Sequence, residues 1–128
     1  MVVLLWRFKQ LIHATIKQFN NEYRFTFVLK MTNKENIIAT LKLNKPALSK
    51  FGVQNVGLFG SYVRNEQSDK SDIDLLIDFF PEKENFDNYM AVYDLFESMF
   101  KNEKIELVTK NGLSKYIGPK ILNEVLYV

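Results

Sequence analysis

The sequence contains no cysteine and a single histidine, His13. Disulfides, thiolate nucleophiles and zinc sites built from Cys and His are therefore excluded, and a cysteine-free chain fits a cytoplasmic location. Any metal must be held by carboxylates, and hard oxygen donors favour Mg²⁺ or Mn²⁺. Long apolar runs are also missing. The longest near the N-terminus, Val2 to Trp6, is broken by Arg7 and Lys9, too short for a membrane span and lacking a secretory cleavage pattern. Charge of one sign is scarce as well: the net charge is +2, which gives no broad electrostatic footprint for nucleic acid. What remains is a chain of 128 residues, 47% of them hydrophobic, enough for one core.

Residues 1–30 form an N-terminal extension. Leu5, Phe8, Ile12, Ile16 and Phe19 recur at helical spacing, so an added amphipathic helix is one expectation. The other is that "MTNKEN" at Met31 is the natural start and the extension is poorly ordered. Residues 31–128 carry a self-sufficient α/β pattern: a small mixed β-sheet flanked by helices.

Within it, Thr32 or Asn33 caps a helix whose apolar face is Ile37, Ile38, Leu41 and Leu43. Pro46 opens a second short helix, "PALSKF", closed by Gly52. "VQNVGLF" reads as a buried strand, followed by a short helix near "SYVRNE" and a second strand, "DIDLLIDF". Pro81 starts a loop. An amphipathic helix follows over residues 86–100, with Tyr89, Met90, Val92, Tyr93, Phe96, Met99 and Phe100 on its apolar side. "KIELVT" is a third strand, and "PKILNEVLYV" closes the chain as a helix.

Chemistry concentrates in "GLFGSYVRNEQSDKSDIDLLIDF". Residues two apart in a strand share a face, so Asp72 and Asp74 project together, ~6.7 Å apart along the backbone. An isolated D-x-D reads first as a solvated strand end. Three neighbours change that reading. Gly60-Ser61 ends a strand and offers backbone N–H groups and a hydroxyl, an arrangement suited to phosphate. Arg64 follows one helical turn later, within reach of the same phosphates. Glu106 sits between apolar Ile105 and Leu107, where an acid is costly unless paired or metal-bound. Three carboxylates on adjacent strands can hold two Mg²⁺ for phosphoryl or nucleotidyl transfer. Asp78 shares their parity but lies ~13 Å beyond Asp74, and reads as a surface acid. His13 and Glu82, Glu84, Asp87, Asp94, Glu97 and Glu103 read as surface or packing residues.

These motifs resemble the signature of the nucleotidyltransferases related to DNA polymerase beta. From about residue 33 to 128 the chain is similar to the minimal nucleotidyltransferases, the MntA-like antitoxins paired with HEPN-domain toxins. The resemblance implies the minimal nucleotidyltransferase fold and transfer of AMP from ATP to a tyrosine hydroxyl of the toxin. It implies that Gly60 and Ser61 hold the β- and γ-phosphates and that Asp72 and Asp74 bind both Mg²⁺ ions. Glu106 would complete the metal site that activates the hydroxyl, and Arg64 would neutralise the triphosphate. It also implies a hetero-oligomer with the toxin, with no nucleic acid and no membrane as partner. Two positions depart from the pattern. Glu106 stands where Asp is common and reaches ~1.5 Å further, and Asn65 stands where glycine is common. Two other readings remain. One is an antitoxin that neutralises by binding alone, favoured by Glu106 and the aromatic helix; the other is a nucleotidyltransferase acting on a small molecule such as an aminoglycoside.

Overall fold

The computed structural model describes residues 32–128, so both expectations for residues 1–30 lie outside the described residues. Helix α1 spans Lys34–Ser49, and Asn33 caps it by accepting from the Asn36 N–H at 2.9 Å. Its buried side chains are Ile37, Leu41 and Leu48, one face at helical spacing. Leu43, expected on that face, is 83% exposed: two residues past Leu41 it has turned about half way round the helix. Pro46 lies inside α1 instead of opening a second helix. The carbonyl that loses its donor is that of Lys42, on the exposed face, where water can serve it.

Strand β1 (Val53–Phe59) pairs antiparallel with β2 (Ile73–Phe79). A single-turn 3-10 helix, Pro81–Lys83, replaces the expected loop. Helix α2 (Phe86–Met99) is capped by Asn85 and carries the chain over to β3 (Ile105–Thr109), which pairs parallel with β2. A helical crossover is what a parallel pair requires. Val92 and Phe96 of α2 are fully buried, whereas Met90, expected in the apolar stripe, is 36% exposed. The Tyr89 hydroxyl donates to the Leu107 carbonyl at 2.8 Å, tying α2 to β3.

The largest departure is at the C-terminus. Helix α3 stops at Glu124 (Gly118–Glu124), and Leu126–Tyr127 form a fourth strand, β4, antiparallel to β1. The sheet order is β3-β2-β1-β4. Val125 is extended, with φ −60° and ψ 134°, and the Val128 N–H donates to the Val56 carbonyl. The run "VLYV" is rich in β-branched and aromatic residues, and the edge of β1 gives it a partner. Gly57 makes room: a Cβ there would collide with Val125 and come within 3.0 Å of the Leu126 carbonyl.

One face of β2, carrying Ile73, Leu75, Ile77 and Phe79, joins Ile37, Leu41, Val92 and Phe96 in the core. Alternation sends Asp74, Leu76 and Asp78 to the opposite face. Among the described residues no helix is long and apolar enough to cross a membrane. Because Phe96 is wholly buried where α2 meets the sheet, Phe96→Ala is expected to lower unfolding free energy by ~3–5 kcal/mol, read by denaturant titration.

Candidate active site

The end of β1 and the start of β2 lie side by side, with Phe59 opposite Asp74. The chain leaves β1 at Gly60, where φ is +79°. A Cβ at this position would collide with Oδ2 of Asp74 and lie 2.8 Å from its Cγ. Glycine is thus required by the neighbouring carboxylate itself, where the sequence suggested only room for a ligand. The expected helix near "SYVRNE" is a series of turns. The Gly60 carbonyl accepts from Val63 and Arg64, and the Ser61 carbonyl from Glu66. Tyr62, which sequence reasoning passed over, anchors these turns by burying its ring in the core. Asn65 adopts φ +57°, so the asparagine takes the left-handed backbone for which glycine is common.

Asp74 faces the other way as well. In the parallel register of β2 and β3 it is opposite Glu106. Two acids at matched positions on neighbouring strands repel when both are ionised. Burial, then a hydrogen bond to Glu106 and its charge, then the charge of Asp72, push the Asp74 carboxyl up to about 7, with Arg64 opposing the rise. Glu106 itself is exposed on the β3 surface. The cost of an embedded acid was therefore correctly sensed but assigned to the wrong residue: it falls on Asp74, which is half-buried. Asp72 lies one residue before β2, its side chain 28% exposed, with the Lys104 ammonium 3.8 Å away on a flexible, exposed stem. Asp78, its side chain 21% exposed, reaches Asn55 and Lys110 instead.

The expected three-carboxylate metal cage is not closed by the protein. Among the described residues no group of three or more Asp, Glu, His or Cys side chains converges enough to hold an ion. The donors still fit a hard cation: Asp74 and Glu106 abut, Asp72 adds to the negative field, and a divalent ion relieves that repulsion. Arg64 is not presented to an open site. Its guanidinium bonds Glu66 at 3.0 Å and both carboxylate oxygens of Glu124 at 2.8 and 2.9 Å. Nor is the Gly60 N–H free, because it donates to Glu124. Glu124 was missed in the sequence, where no local motif marks an acid 64 residues from the glycine it binds.

Comparison with known proteins adds a family to this geometry. The family model for polymerase beta nucleotidyltransferases matches residues 35–127. The chain belongs to that family. It is a nucleotidyltransferase, as the strand-end Gly-Ser and the paired acids imply. The protein adenylyltransferase MntA of Thermococcus cleftensis is 35% identical over 101 residues, spanning 78% of this chain and 100% of that relative. A solved minimal nucleotidyltransferase superimposes with a TM-score of 0.65 at 22% identity, over 76% of this chain and 97% of the other. A chain from a mutant MntA–HpeT toxin–antitoxin assembly gives a TM-score of 0.50 at 19% identity, over 74% and 70% of the two chains. These structures speak for the fold, a four-stranded mixed sheet with three helices among the described residues.

The state of Asp74 sets a pH signature. Its folded value, about 7, is above its ordinary 3.8, so the protonated form is the one the fold favours. That contribution is complete below 3.8 and lost as pH rises through about 7. The metal-free protein is expected to melt at a lower temperature at pH ~8 than at pH ~5, and Asp74→Asn should flatten the difference. Scanning calorimetry of both proteins across this range measures it.

Proposed function

We propose that this nucleotidyltransferase transfers AMP from ATP to a tyrosine hydroxyl of a HEPN-domain toxin and thereby acts as its antitoxin. The observation that carries the reading is the meeting of Gly60, Asp74 and Glu106 at one end of the sheet, on three neighbouring strands or their ends. Similarity to a protein adenylyltransferase over that relative's whole length supports a protein acceptor.

In this reading ATP lies with its β- and γ-phosphates along Gly60-Ser61, where the Ser61 hydroxyl can donate. Asp72, Asp74 and Glu106 would hold two Mg²⁺, a cation that carboxylate oxygens suit. When bound, the ions supply charge neutralisation at the entering and leaving oxygens. Asp74 and Glu106 orient the acceptor hydroxyl behind the α-phosphorus. The new O–P bond forms in line as the bond to the β-phosphate oxygen breaks. The hydroxyl proton passes to a carboxylate or water at Asp74, and pyrophosphate departs.

A second reading, neutralisation by binding alone, draws on the exposed apolar side chains Phe86 and Met90 of α2. The two readings separate on one pair of variants. Asp72→Asn and Asp74→Asn should lower AMP transfer from labelled ATP to the co-expressed partner by roughly a hundredfold or more. They should also abolish rescue of cells from the toxin. Variants that no longer label the partner but still protect cells would favour binding. Labelling at the wild-type level would remove the catalytic reading.

A further inference from the structure

Glu124 ends α3 on the far side of β1 from Asp74, and its side chain is only 17% exposed. A carboxylate so covered needs partners, and it has two kinds. One is the Gly60 N–H, at the point where β1 turns into the candidate nucleotide loop. The other is the Arg64 guanidinium, whose NH1 meets both Glu124 oxygens, at the opposite end of the same turn. Immediately after Glu124 the chain is fixed to β1: Val125 fills the space over Gly57, Gly57 and Leu58 pair with Tyr127 and Leu126, and the Val128 N–H reaches Val56. Glu124 is therefore held on a rigid base, while the residue it grips, Gly60, has the greatest backbone freedom of any residue type. A charge-assisted hydrogen bond from such a base removes that freedom.

We propose that Glu124 is a positioning residue of the nucleotide site, a latch from the C-terminal segment that fixes the Gly60–Arg64 turn and commits Arg64 to the latch instead of the triphosphate. The inference rests on the reading of Gly60-Ser61 as the phosphate loop. It revises that reading in two respects. Arg64 shapes the loop without touching phosphate, and the Gly60 N–H is spent on Glu124, which leaves the phosphates to Ser61 and the groups after it. The C-terminal strand thereby becomes part of the machinery that binds nucleotide.

The test is equilibrium binding of ATP with Mg²⁺ to the full chain, well below the melting temperature of each variant, together with that melting temperature. Glu124→Ala is expected to weaken ATP binding on the order of tenfold, because the loop is no longer held. Glu124→Gln keeps an oxygen for the Gly60 N–H but loses the charge opposite Arg64, and should weaken binding by about threefold. A Glu124 that only stabilises the fold would lower the melting temperature and leave the affinity of the folded variant unchanged, which overturns the proposal. Tighter binding also overturns it, since Glu124 would then be a competitor for the phosphate site. If Glu124→Ala does not fold, the glutamine variant decides: weaker binding supports the latch and wild-type affinity rejects it. A wild-type chain that does not bind ATP at all overturns the nucleotide reading itself, and the latch with it.

Discussion

The constraint on which the site depends is the repulsion between carboxylates set by strand register. Glu106 is opposite Asp74 because β2 and β3 run parallel in that register, and Gly60 is glycine because Asp74 occupies the space beside it. Each of these is fixed by the core below. Ile73, Leu75 and Ile77 alternate with the acidic residue and are fully buried, so a one-residue slip would exchange the two faces. A sheet that spends this much order on bringing acids together is storing an unfavourable interaction at one point. Carboxyls perturbed in this way cluster at functional sites, where a cation or a reacting group can offset the repulsion.

That constraint also explains the division of labour among the polar residues. Asp74 is central and half-buried, and it senses Glu106, Asp72 and Arg64 together. Glu106 flanks it on the exposed surface of β3, and Asp72 pairs with the Lys104 ammonium. The extra methylene of Glu106, compared with the aspartate common in the family, is accommodated by this exposure. On the other side of β1 the polar contacts are of a different kind. Glu124, Arg64 and the Gly60 N–H are mutually satisfied, and they shape the loop without adding to the negative field.

Much of this was legible in the sequence because it rests on local pattern. The alternation in "DIDLLIDF" identified the strand and its buried face, although Asp72 falls one residue before the strand begins. The α/β class and the three longest strands followed from the same alternation and from turn residues. The errors arise from tertiary surroundings (exposed faces and distant partners) that local pattern does not carry. Pro46 stayed within α1 because the Lys42 carbonyl it leaves without a donor lies on the exposed side of the helix. "VLYV" became a strand because β1 had a free edge beside Gly57. Glu106 turned out to be exposed because its neighbours Ile105 and Leu107 point into the core and it takes the opposite face of an edge strand. Arg64 was claimed by Glu124, 60 residues away, a contact that no spacing rule announces.

The central claim is that Asp74 and Glu106 are brought together to share divalent cations with a bound nucleotide. The most direct measurement is the electron paramagnetic resonance titration of Mn²⁺ into the full chain with a non-hydrolysable ATP analogue, for the wild type and Glu106→Gln. About two bound Mn²⁺ per chain are expected in the wild type, with loss or marked weakening of one of them in the variant. Equal stoichiometry and affinity in the two proteins would contradict the claim.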